Sequence, residues 1–297
     1  MNIKRISLLS LLGLTVVYFG VAWHFSSSVL YLEIRDCNQE HYVFCGDPST
    51  QSINFENVEY TSKDGLTLPA WYMPVAGATN TVLLVHGRGA SRHEGMRYAK
   101  PLVGAGYNVL AIDMRHPRQG EGIISTMGFY ERNDVIAALD YIKNRTPKNE
   151  IGIMGFSMGA ATSIAVMAED HRIKTGVFNS GFANVTDVLT ESAARMHSLP
   201  KYPLMPAVMS LFAFRSGVDT DLINPESYIA KISPRPVFIM HGTSDKTVGF
   251  THGERLFSAA QAPKEFWAVE GGEHTRLWQS NPTLAVNKVL SFFKKTL

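Results

Sequence analysis

The stretch Asn149 to Ser163, NEIGIMGFSMGAATS, places one serine, Ser157, between Gly155 and Gly159 and follows it with small residues. An apolar run, Glu150 to Gly155, comes directly before it, so the segment reads as a strand, a tight turn and a helix. A serine on such a turn is exposed at the strand's end in a strained backbone conformation. Side chains two positions to either side would collide with neighbouring backbone, and glycine at 155 and 159 removes that collision. A helix opening at Met158 would aim its free N–H groups and positive end at any charge developing beside the hydroxyl. The string Gly-x-Ser-x-Gly is common by itself and gains its meaning from context. Upstream, His86-Gly87-Arg88-Gly89 ends the apolar run Thr81 to Val85 in a glycine-bounded turn. Backbone of that kind can approach the serine and offer a second N–H to an oxyanion, so the chemistry within reach is attack of an alcohol on a carbonyl.

The elements that must position these groups alternate along the chain. Asn54 to Pro74 reads as two strands joined by a turn at Lys63-Asp64-Gly65, an Asp-Gly hairpin signal. Further strands are expected at Thr81–Gly87, Tyr107–Arg115, Glu150–Gly155, Thr175–Ser180, Pro236–Gly242 and Glu265–Gly272. Most are short, continuous apolar runs, as strands covered on both faces should be. Between them, Tyr130 to Arg145 carries Val135, Ala138, Leu139 and Ile142 at helical intervals. Alternation of this sort predicts an α/β fold with a mostly parallel sheet flanked by helices. In such sheets active groups collect at the carboxyl ends of the strands, where Ser157 sits.

In four ordered segments, HGRG, GFSMG, HGTSD and GGEH, the chain resembles the α/β-hydrolase fold family from about Asn54 to the C-terminus. More narrowly it is similar to anchored or exported serine esterases and to peptidase-like hydrolases related to prolyl oligopeptidase. The resemblance implies Ser157 as nucleophile, Asp245 as the acid and His274 as the base, with the main-chain N–H groups of Met158 and Arg88 as oxyanion donors. It implies neither metal nor organic cofactor. Asp245 also suits a plain turn role in HGTSDKTV, and His274 is one of ten histidines. His86 and His241 each end a strand just before a glycine and are expected to be structural, while Glu273, adjoining the base, is an inferior acid candidate. Many relatives carry an Arg-Gly-x-Gly turn after the strand ending at Asp113, whereas this chain reads DMRHPRQGEG, so the rim of the pocket is expected to differ there. An ester of acyl or lipid-like type is the expected substrate. A peptidase or amidase on the same three residues, or an interaction protein that keeps the fold without chemistry, are the alternatives.

Substrate choice in this fold is commonly set by an insertion between later strands, and 181–233 is expected to be a small helical lid. Two readings of its methionines and aromatics stand side by side: packing of the lid onto the sheet, or an acyl pocket lined by Leu204, Met205, Met209 and Phe212.

At the N-terminus, Lys4 and Arg5 precede Ile6 to Trp23, a run without charge. As a helix it is about 27 Å long, close to the ~30 Å hydrocarbon core of a bilayer. The basic pair predicts a cytoplasmic N-terminus and an exported body. The run exceeds a usual signal core, which favours a retained anchor over residues 1–25, a membrane-proximal segment over 26–53 and the hydrolase domain over 54–297. Cleavage near Gly20 or Ala22, giving a secreted protein, is the alternative. The only two cysteines, Cys37 and Cys45, lie just beyond, where a bridge would close a short loop in an oxidising compartment; two unpaired thiols are the other possibility. With 297 residues, 45% apolar content and a net charge of +2 spread without a Lys/Arg block, the chain is globular and carries no nucleic-acid footprint.

Overall fold

The structure, a computed structural model, describes residues 3–31, 37, 42–116 and 123–297. Eight strands form one sheet: β1 (Glu56–Thr61), β2 (Thr67–Met73), β3 (Asn80–Val85), β4 (Asn108–Ile112), β5 (Glu150–Phe156), β6 (Ile173–Asn179), β7 (Val237–Gly242) and β8 (Lys264–Val269). Each falls on a run expected from the sequence. Their order is β1-β2-β4-β3-β5-β6-β7-β8, with β2 antiparallel to both of its neighbours and every later pairing parallel. The chain leaves β3 to one side and returns to its other side as β5. Strand order therefore reverses at β3, and a crevice opens at the carboxyl ends there.

The helices are α1 (Ile3–Leu30), α2 (Met96–Gly104), α3 (Glu131–Arg145), α4 (Met158–Glu169), α5 (Val185–His197), α6 (Leu204–Ser216), α7 (Pro225–Ile229), α8 (Phe250–Ala259), α9 (Leu277–Ser280) and α10 (Pro282–Thr296). Two apolar layers clasp the sheet. On one face Val82 and Leu84 of β3 pack with Tyr98 and Leu102 of α2 and Phe293 of α10. On the other, Leu83 and Val85 pack with Leu139 of α3, Ile164 of α4 and Leu256 of α8. Successive residues of β3 thus feed opposite layers, which is why its sequence is apolar throughout instead of alternating. Full burial of a side chain such as Phe293 contributes roughly 1.5–3 kcal/mol.

Lys63-Asp64-Gly65 forms the β1–β2 turn as expected, with Gly65 at φ +86°. At the end of β4, Arg115 pairs with Asp134 of α3 at 2.7 Å and with Asp64 of that turn at 2.6 Å. Of the divergent rim loop, residues 117–122 lie outside the described residues.

α1 runs past the uncharged stretch to Leu30, and its two halves differ. Leu11, Leu12, Leu14, Val16 and Val17 are each more than half exposed, whereas Ala22, Ser26, Val29 and Leu30 are buried. Ala22 packs against Leu204, Met205 and Val208 of α6. Over 10–30 the helix is long and apolar enough to cross a membrane. Cys37 and Cys45 are bridged, with Cα atoms 5.3 Å apart.

Candidate active site

β3 and β5 end level with each other, since Val85 is in register with Gly155. His86 to Arg88 therefore emerge beside Phe156 and Ser157. Ser157 sits at φ 51°, ψ −118°, a strained turn for a non-glycine residue, and its N–H donates to Asn179 O of β6 at 2.8 Å. Crowding explains the flanking glycines. A Cβ at Gly155 would lie 2.4 Å from Gly159 O, and one at Gly159 would lie 2.3 Å from His86 O.

Asp245 and His274 come from the turns after β7 and β8, adjacent parallel strands. The two turns touch directly: Ser244 N donates to Gly272 O at 3.0 Å, and a Cβ at Gly242 would lie 2.1 Å from that same oxygen. Contact this close sets the histidine against the acid. His274 Nδ1 lies 2.7 Å from Asp245 Oδ2, and His274 Nε2 lies 2.9 Å from Ser157 Oγ. A carboxylate only accepts, so Nδ1 carries the imidazole hydrogen and Nε2 is left to accept from the serine hydroxyl.

Asp245 is fully buried at its side chain, and Oδ1 accepts from Thr247 N at 2.9 Å and Val248 N at 2.8 Å. Burial works against its charge, but hydrogen bonds and charge from His241 and His274 outweigh that and hold the carboxyl well below the usual carboxylate range. His241 Nε2 lies 2.9 Å from Val248 O, bracing the acid's loop. His86 accepts from Met114 N on Nε2 at 2.9 Å, while its Nδ1 lies 2.7 Å from Gly87 O. His86, Asp113 and His116 bring possible ligand atoms within 4.8 Å of one another. Within this group, His86 Nε2 already accepts from Met114 N–H and Asp113 Oδ1 accepts from Arg92 N–H at 2.6 Å.

A cavity of about 300 Å³ is lined by Ser157 and His274 together with Met158, Gly87 and Arg88. Of the four pocket residues considered from the sequence, Met205 lines this cavity. Leu204 packs into the α1–α6 contact, and Met209 and Phe212 are buried in the main apolar layer. The reason is position along α6, not facing: Met205, Val208, Met209 and Phe212 share one stripe of the helix, and its first turn reaches the cavity while the next lies over the body.

Three contributors escaped the sequence reading. Glu94, buried, accepts from Gly87 N at 2.6 Å and so pins the turn that carries Arg88. On α5, Val188, Leu189 and Ser192 line the cavity at helical spacing, a periodicity legible in the sequence. Phe25, Ser28 and Val29 of α1 also line it, and no local pattern announces that.

Residues 80–207 match the sequence profile of a family described as alpha/beta hydrolase fold. The uncharacterized protein YqkD of Bacillus subtilis is 26% identical over 92% of each chain, and the uncharacterized protein YfhR of Escherichia coli K12 is 26% identical over 74% of this chain and 73% of its own. Among solved structures, the Pyrococcus furiosus esterase Pf2001 superposes with a TM-score of 0.70 at 27% identity, covering 90% of this chain and 99% of that one. Sheet order, the strained turn at Ser157 and these likenesses together establish that the chain has the α/β-hydrolase fold.

Proposed function

We propose that the protein is a serine hydrolase that cleaves carboxylic esters through an acyl-enzyme. The observation that carries this reading is the unbroken relay Ser157 Oγ, His274 Nε2, His274 Nδ1, Asp245 Oδ2, with contacts of 2.9 and 2.7 Å, whose serine and histidine line a cavity. The likeness to a protein described as an esterase adds support.

Ser157 Oγ attacks the carbonyl carbon while its proton passes to His274 Nε2. Asp245 keeps the ring in the accepting tautomer and stabilises the imidazolium. The tetrahedral oxyanion is met by the main-chain N–H groups of Met158 and Arg88, each such donor typically being worth ~3 kcal/mol. The bond to the alcohol breaks as His274 returns the proton to the departing oxygen. Water, deprotonated by the same nitrogen, then attacks the acyl-enzyme, the acid leaves and Ser157 regains its proton.

In this reading residues 1–25 are a retained membrane anchor, 26–53 a membrane-proximal segment and 54–297 the catalytic body with 181–233 as its lid, and the body faces away from the compartment holding Lys4 and Arg5. The Cys37–Cys45 bridge suits an oxidising compartment. A fluorophosphonate probe is expected to label the parent and not Ser157→Ala; equal labelling of both removes Ser157 from the mechanism. Turnover of peptide anilides and not of p-nitrophenyl esters overturns the ester assignment.

A further inference from the structure

Resting on the serine-hydrolase reading of this cavity, we propose that the substrate is an acyl ester resident in the bilayer. Its acyl chain enters the cavity alongside α1, so that one helix is both the anchor and a wall of the acyl site.

The continuity of α1 comes first. The exposed apolar turns around Leu11 to Val17 and the docked turns from Ala22 to Leu30 belong to one unbroken helix. From Val17 to Phe25 the rise is about 12 Å. No flexible linker separates the membrane-crossing part from the cavity wall, so the body sits at a set height against the surface.

The docked end is held by specific polar contacts. Arg88 Nη2 donates to Ser28 O at 2.6 Å and to Val29 O at 3.0 Å, meeting carbonyls at the helix's C-terminal end, where a cation is favoured. Arg215 Nη1 donates to Ser27 Oγ at 2.8 Å, and its guanidinium lies 4.0 Å from the Trp23 ring centre. Ser125 N donates to Leu30 O at 2.8 Å, and Tyr18 OH donates to Pro203 O at 2.8 Å. Arg88 is the residue whose main-chain N–H is read as an oxyanion donor, so its side chain ties the anchor to the catalytic turn.

The mouth lies on the membrane side. Phe25 of α1 faces His197 at the end of α5, with ring centres 5.7 Å apart, and both line the cavity. Met196 beside them lines the cavity although it is 61% exposed, which marks it as rim. Tyr202, 70% exposed, adjoins Pro203, where Tyr18 docks and the exposed apolar turns of α1 begin. Apolar side chains thus continue from the crossing helix to the rim and on to the inner wall, where Val29, Val188, Leu189 and Val208 offer no charge. An apolar wall on this side, away from Arg88 and Glu94 of the catalytic turn, fits a hydrocarbon chain, and an apolar rim against a crossing helix spares that chain a passage through water.

Ser28→Trp places a bulky ring at an exposed α1 position on the cavity. Full-length parent and variant are reconstituted in phosphatidylcholine vesicles carrying a fluorescent palmitoyl diacylglycerol, with p-nitrophenyl acetate as the soluble comparison. The ratio of vesicle-ester to acetate turnover is expected to fall about tenfold or more, the loss from burying a few methylenes less well. An unchanged ratio, with both proteins still labelled by fluorophosphonate, overturns the bilayer route and leaves the hydrolase reading standing. Absence of label on the parent's Ser157 overturns both. If Ser28→Trp does not fold, Ser157→Ala with a phospholipid bearing a diazirine in its acyl chain decides. Crosslinks on Phe25 to Val29 and on Met196 support the route; crosslinks confined to residues 10–21 overturn it.

Discussion

Asp245→Asn separates the two roles that the acid's position suggests. Oδ1 of Asp245 accepts from two backbone donors, Thr247 N at 2.9 Å and Val248 N at 2.8 Å, which is a turn role, while Oδ2 holds His274 Nδ1 at 2.7 Å. Asparagine can keep the first only by leaving its oxygen where Oδ1 stands, because turning its amide toward those N–H groups opposes donor to donor at ~1–3 kcal/mol for each unpaired group. The amide nitrogen then faces His274 Nδ1, which must accept. The imidazole hydrogen moves to Nε2, and Ser157 Oγ loses the base 2.9 Å away. Loss of the working tautomer costs about 10⁴ in kcat in triad enzymes, or about 5.4 kcal/mol at ~1.36 kcal/mol per decade. Steady-state turnover of p-nitrophenyl acetate measures this, and thermal unfolding of the same samples shows whether the turn survives. A variant that melts with the parent and retains kcat within about tenfold would refute the relay.

Acid stability tests the same carboxyl. Because its folded-state pKa is depressed, by the bonds from His241 and His274 outweighing burial, its stabilisation is present above about pH 4 and drains away as pH falls below that value. Urea unfolding should therefore show the parent losing more stability than Asp245→Asn between pH 5 and lower pH; equal losses contradict the shift. Gly159→Ala drives a Cβ to 2.3 Å from His86 O and 2.4 Å from Val85 O, both backbone, so about 1–3 kcal/mol of stability should go, together with most activity, as read by calorimetry and ester turnover. An unchanged melting temperature would count against the close approach of α4 to β3. Glu94→Ala removes the acceptor of Gly87 N and leaves buried Arg97 without its carboxylate 3.6 Å away, a loss of roughly 3–5 kcal/mol. Its kcat should fall about tenfold or more as the Arg88 turn loosens, with Glu94→Gln recovering most of it; no recovery would make Glu94 a matter of folding alone.

What could be read along the chain is what local pattern encodes. The inner strands β3 to β7 were legible as apolar runs because burial on both faces leaves that mark, while β1 and β2 were signalled by the Asp-Gly turn between them. The turn at Ser157 was legible because Gly155 and Gly159 answer a collision between residues near in sequence and an adjoining strand end. Asp245 and His274 stood out by following strands, yet only tertiary structure settles their separation, since it depends on Gly242 lying against Gly272 across neighbouring strands. Which turn of α6 meets the cavity was also undecided: Met205, Met209 and Phe212 share one apolar stripe, and only the body they pack against sorts the cavity wall from the core along it. Furthest from local reach was α1. Hydropathy marks it as able to cross a membrane, but Phe25, Ser28 and Val29 become cavity wall through contacts with Arg88 and Arg215, some 60 and 190 residues away, and a contact over that distance leaves no periodicity for a sequence window to detect.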